Sequence, residues 1–155
     1  MDKEYLIKSA EKLNQVSEKT ANEYQNKRDI LISKINEIML SRPDLESLIG
    51  IENINMMKDN HANHVRFISS IIKNFEPEIL VETVLWVFRA YRSHGFSTNY
   101  WASQLNSWIE ILKTHLSDNA YNEILPFYEW MQVNIPLFAK LSDDELDKNL
   151  SQHKT

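Results

Sequence analysis

The chain has 155 residues, 43% of them hydrophobic and 25% charged, with a net charge of −5; this is the composition of one ordinary folded domain. No lysine- and arginine-rich block interrupts the acidic balance, so nothing favours nucleic acid or an anionic membrane surface as a partner. The absence of cysteine excludes disulfides, thiolate metal sites and cysteine nucleophiles, and it suits a reducing cytosol. The opening "MDKEYLIKSAEK" is charged where a secretion signal is apolar, and no apolar run reaches about 18 residues. A cytoplasmic protein without membrane insertion is expected.

Gly50 and Gly95 are the only glycines, so positive-φ backbone is scarce and hairpins are hard to build. The fold is expected to be all-α. From Lys3 to Ser41 there is neither Gly nor Pro, and Leu6, Ala10, Leu13, Tyr24, Leu31, Ile35 and Ile38 keep helical spacing; this predicts one very long helix, or two joined by a bend near Asn26. In "SRPDLESLIG", Ser41 and Asp44 are spaced as a capping box, Pro43 suits a first turn and Gly50 a C-terminal stop, giving a short helix. The next helix runs from Glu52 to Asn74, because Pro77 biases the residue before it out of the helical region.

Glu78 to Ser93, containing "ILVETVLWVFRAY", is apolar almost all round and reads as a buried central helix, with Trp86 and Phe88 as core residues. "HGFS" closes it. The following helix carries Trp101, Leu105, Trp108 and Leu112 on one stripe. A last long helix starts at Ser117 or Asp118 and passes through Tyr121, Leu125, Tyr128 and Ile135; Pro126 and Pro136 should kink it or tighten a turn. Residues 142–155 begin with a Ser142/Glu145 capping box, bury little and read as a frayed tail, so the domain is placed at 1–141. Six to eight helices around one buried helix suggest a globin-like fold, with an antiparallel bundle as the competing topology.

The stretch "NHANHVRF" carries the chemistry. At 100° per residue, Ile54, Met57, His61, His64, Val65, Ile68 and Ile72 share one face, and Lys58, Arg66 and Lys73 lie opposite. The inward histidines have a purely structural reading, in which each bonds a neighbouring polar group. Zinc binding needs a third ligand that no local pattern supplies. A haem reading would use His94 as axial ligand, but His94 abuts Gly95 at a helix end, and "PDLESLIG" lacks a phenylalanine to set against a porphyrin. No phosphate loop, GxSxG or confined acid pair is present, so enzymatic activity is not expected.

The polar inward residues suit an anion with an apolar tail. Candidate ligand-binding residues are His61, His64, Tyr91, Arg92, His94, Trp101, His115 and Tyr128, since charge-assisted donors of this kind hold a carboxylate or halide strongly. A tail of about 12 methylenes at ~0.8 kcal/mol each would supply near 10 kcal/mol of gross drive, less the ordering losses of binding. Ile111, Phe127 and Trp130 fall off the core stripe and are candidates for a self-complementary dimer surface.

The segments "HANHVRFISSIIKNFEPEILVETVLWVFRAYRSHGFSTNYW", "LNSWIEILKTHL" and "YNEILPFYEWM" resemble the haem-free, globin-like sensor domain of the sporulation sensor histidine kinases of bacilli. They are most similar to its free-standing, plasmid-borne versions from the anthrax group, which inhibit sporulation. The resemblance spans about Tyr5 to Leu141 and rests on texture rather than on a short signature. It implies a fatty acid in an internal tunnel, a halide near the head group, and a homodimer. No kinase ATPase domain and no phosphoacceptor histidine motif accompany it. A sensor domain of this kind would lower sporulation signalling by titrating the kinase's signal or by pairing with the kinase. A haem-binding gas sensor and a ligand-free dimerisation module are the alternatives.

Overall fold

The structure, a computed structural model, describes residues 2–143. Among these the chain is all-α, in an arrangement compatible with the globin-like class: α1 (Asp2–Ala10), α2 (Glu18–Asn26), α3 (Arg28–Leu40), α4 (Leu45–Ile49), α5 (Ile54–Lys73), α6 (Pro77–Arg92), α7 (Thr98–His115) and α8 (Asp118–Val133). A ninth helical run, α9, covers 135–143. Six to eight helices were expected; the additional ones come from two breaks in long helical patterns, at 11–17 and at Asn134. The expected tail from residue 144 onward lies outside the described residues, and Ser142 and Asp143 belong to α9.

The bend near Asn26 is present, with Lys27 linking α2 to α3. The break at 11–17 was not foreseen, because it needs no Gly or Pro. Gln15 holds it by donating from Nε2 to the Ile72 carbonyl at 2.6 Å and accepting from the Phe75 amide at 2.8 Å. Ser17 then restarts the helix by accepting from the Thr20 amide at 3.2 Å. The Gln15 side chain thus satisfies backbone groups at the end of α5, and the Ser17 hydroxyl satisfies an amide in the first turn of α2.

The α2 and α8 helices pack antiparallel and cap one another. Glu123 of α8 accepts from the Ser17 amide at 2.8 Å and from the Ser17 hydroxyl at 3.0 Å, and also takes the Thr20 hydroxyl. Glu23 of α2 does the same at the start of α8, accepting from the Ser117 amide at 2.6 Å and hydroxyl at 2.8 Å. Each carboxylate also sits at the positive end of the partner helix, where negative charge is favoured. The Thr20 hydroxyl and the Ser17 amide hold the Glu123 carboxyl below its ordinary range. Burial pushes Glu23 up, but its Ser117 and Lys27 partners outweigh that and leave it lowered.

The middle of the molecule belongs to α7, which packs against α3, α4 and α8. Tyr100, Trp101, Leu105, Trp108, Ile111 and Leu112 are all buried. The expectation of a central α6 is corrected: α6 packs mainly on α1 and leaves Trp86 60% and Ile79 49% exposed. Its apolar character is real, but one flank faces solvent. The expected dimer surface is corrected as well, because Ile111, Phe127 and Trp130 are buried and Trp130 Nε1 donates to Ser9 Oγ at 2.8 Å. Asp44 closes no capping box, because its carboxylate takes both ends of the Arg42 guanidinium at 2.9 and 3.0 Å. Gly50 does stop α4, at φ 87°. Pro126 is carried inside α8, and Pro136 lies in the first turn of α9.

Candidate functional site

Between α5, α6 and α7, closed at its far side by Met131 of α8 and Phe138 of α9, lies a cavity of about 160 Å³. Its wall follows from helical spacing: Asn60, His64 and Phe67 recur every three to four residues on α5, as do Val84, Phe88 and Tyr91 on α6, and Gln104 and Leu105 follow Trp101 by three and four residues on α7. Phe88 stacks on Trp101 at 4.5 Å between ring centroids, and Tyr91 meets the same indole edge-on. Asn63, Thr83, Trp86 and Val87 complete the lining; Asn63 and Trp86 are exposed, which places the opening between α5 and α6. A wider groove of about 580 Å³, lined by Arg28, Asp29, Arg66 and Lys73 among others, is open surface with mixed charges and encloses nothing.

One wall of the cavity is polar. The Asn60 carbonyl oxygen accepts from Tyr100 Oη and from Gln104 Nε2, both at 2.7 Å, and Gln104 Nε2 also reaches Tyr100 Oη at 2.8 Å. His64 stacks on Trp108 at 4.8 Å and bonds Tyr128 Oη through Nε2 at 2.8 Å, and Tyr128 bonds Tyr24 Oη at 2.9 Å. His61 is sealed one turn away: its Nδ1 meets Asn36 Oδ1 at 2.6 Å, and its Nε2 has no partner. Burial pushes both imidazoles down to about 3, His64 also through its neighbour His61. Both rings are therefore neutral near pH 7. Burial likewise raises Tyr24, Tyr100 and Tyr128, so their hydroxyls keep their protons.

The predicted site residues divide cleanly. His64, Tyr91 and Trp101 line the cavity. His61 and Tyr128 stand behind that wall, His61 edge-on to Trp108 and Tyr128 bonded to His64. The other three lie elsewhere. Arg92 fastens α6 to α9, donating to the Ala139 carbonyl at 2.8 Å and Ser142 Oγ at 3.0 Å and pairing with Asp143 at 2.7 Å. His94 is exposed in the α6–α7 turn, its amide donating to the Tyr91 carbonyl at 3.0 Å and its carbonyl accepting from Asn53; the histidine named for the haem reading is thus not part of the cavity lining. His115 ends α7 at the surface, its carbonyl accepting from Lys27 Nζ at 2.5 Å. Ile54, expected to face inward, is 44% exposed at the first turn of α5. No group of three metal-ligating side chains occurs among the described residues.

Asn60 and Gln104 went unread in the sequence, although both break an apolar stripe at helical spacing. Asn60 lies four residues before His64, and Gln104 four after Tyr100 and four before Trp108. The chain matches no family model, no curated protein and no solved structure. No helix among the described residues is long and apolar enough to cross a membrane.

Proposed function

We propose that the protein is a sensor domain that takes a fatty-acid-like amphiphile into the cavity between α5, α6 and α7 and thereby lowers sporulation signalling, without enzymatic activity of its own. The observation that carries the reading is the cavity: about 160 Å³, walled by aromatic and aliphatic side chains, with one polar edge formed by Asn60, His64 and Gln104. That is the usual make-up of a small-molecule site. A space of this size encloses roughly one benzene-sized group, so a longer chain has to run out past Trp86 or move α6. The resemblance over Tyr5 to Leu141 supplies the biological setting, a cytoplasmic homodimer acting on a sensor histidine kinase.

Organic extraction of the native protein followed by mass spectrometry tests this reading. An acyl compound recovered in near-equal amount to protein is expected. An extract without one, from protein that also fails to take up an added amphiphile, contradicts it. Signal titration and direct pairing with a kinase differ in one outcome: a variant that has lost ligand binding stops inhibiting sporulation under titration and still inhibits under pairing, because a ligand acts only through differential affinity for the states it shifts.

A further inference from the structure

The side chains lining the cavity include no aspartate, glutamate, lysine or arginine. Arg92 is committed to α9, and Arg66 turns outward, donating to Asn63 Oδ1 at 3.0 Å at the rim. An ionised head group drawn to the inner wall would leave its hydration with no cation to replace it, which is costly. What the wall offers is neutral. Asn60 and Gln104 are carboxamides that already bond one another and Tyr100. Each keeps one polar group of fixed character without a bond, Asn60 Nδ2 a donor and Gln104 Oε1 an acceptor; His64, whose Nε2 is engaged by Tyr128, likewise forms no bond through Nδ1 among the described residues.

The row behind His64 gives that nitrogen two possible characters. In the Tyr24···Tyr128 pair either hydroxyl can donate. If Tyr128 donates to His64 Nε2, the imidazole proton lies on Nδ1 and the cavity meets an N–H donor. If Nε2 donates to Tyr128, which then donates to Tyr24, the cavity meets a lone pair on Nδ1. A hydroxyl or carboxamide, being both donor and acceptor, satisfies either arrangement, whereas a carboxylate only accepts.

We infer that the cavity selects an amphiphile with an uncharged head group, an alcohol, an amide or an undissociated acid, and that His64 Nδ1 is the atom that reads it. This rests on the reading of the cavity as a ligand site and narrows it to one chemical class. Octanol, octanamide and octanoate share a chain and differ in head group, so their binding at pH 7.5, followed by tryptophan fluorescence, separates the possibilities. The alcohol and the amide should bind at least about tenfold more tightly than the carboxylate, reflecting the cost of burying an unpaired charge. Octanoate binding as tightly as octanol overturns the uncharged class while leaving the cavity as a site. Failure of all three overturns the site itself. For the residue, His64→Phe retains a ring to stack on Trp108 and removes the nitrogen. It should weaken octanol about tenfold more than it changes benzene, the loss of a bond to a buried polar partner, while a cooperative urea transition shows that the variant is folded. Octanol affinity unchanged in His64→Phe removes His64 from the assignment.

Discussion

Trp101 and Trp108 lie two turns apart on the same stripe of α7, both buried, and meet opposite surroundings. Trp108 is fully buried among His61, His64 and the helices behind them. Trp101, 4% exposed, stacks on Phe88 and forms the wall of an open cavity. A hydrophobic stripe therefore specifies which side chains leave water, and not how completely the space around them is filled. Trp108 meets His61 and His64 of α5 on a helix that packs against α3 and α8, whereas the space beside Trp101 is bounded by α6, which packs mainly on α1 and is fastened to α9 by Arg92.

The largest effect should come from breaking the filled side. Trp108→Leu is expected to cost about 3–5 kcal/mol in urea denaturation, the range for removing a large buried aromatic, while Trp101→Leu, which enlarges an existing void and leaves fewer contacts to lose, should cost less than half as much. Equal losses at the two positions would contradict the contrast. Next is the pH dependence of the imidazoles behind Trp108. Their folded-state values, about 3, lie below the ordinary value near 6.5, so between those limits the unfolded chain binds more protons than the folded one. Stability is then fully present above pH 6.5 and declines as pH falls toward 3, at up to about 1.4 kcal/mol per pH unit for each imidazole. Denaturation at pH 7.5 and 5.0 measures the slope, and His61→Leu should reduce it by about half; a slope unchanged by that substitution would mean that His61 is protonated in the folded protein.

A smaller effect sharpens the packed side further. Glu123→Gln removes the charge that caps Ser17 and Thr20 across the α2–α8 pair, and should cost about 1 kcal/mol at neutral pH, with little difference from wild type at a pH low enough to protonate the carboxylate. Smallest of all, Trp86→Ala at the mouth of the cavity should change stability by no more than about 0.5 kcal/mol, yet weaken binding of an amphiphile. A large loss of stability would place Trp86 in the core after all.

The fold was legible to the extent that periodicity expresses it. Scarce glycine announced helices, the Trp101/Trp108 stripe located α7, and the inward turn of His61 and His64 followed from their register with Met57 and Val65. The failures have physical causes. The break at 11–17 is made by a distant partner, Gln15 bonding the end of α5, and no local residue announces it. The α6 helix looked buried because hydrophobicity was read without a neighbour; the exposure of Trp86 depends on which helix packs where. Arg92, His94 and His115 carry the right chemistry near the right helices but point to α9, to solvent and to a helix end. The reciprocal caps did leave a trace, since Ser17 precedes Glu23 and Ser117 precedes Glu123 by the same six residues, but the pairing crosses between the two helices and is visible only once they are docked. Asn60 and Gln104 are polar interruptions of an apolar stripe, a signal that helical spacing carries without any neighbour.

The most direct measurement is a crystal structure of the protein grown with octanol. Density for the alcohol between α5, α6 and α7, with its hydroxyl within hydrogen-bonding distance of His64 Nδ1 and its chain against Phe88 and Trp101, is the expected result. A cavity filled by the protein's own side chains, or an alcohol lying with its hydroxyl in solvent beyond Trp86, would contradict it.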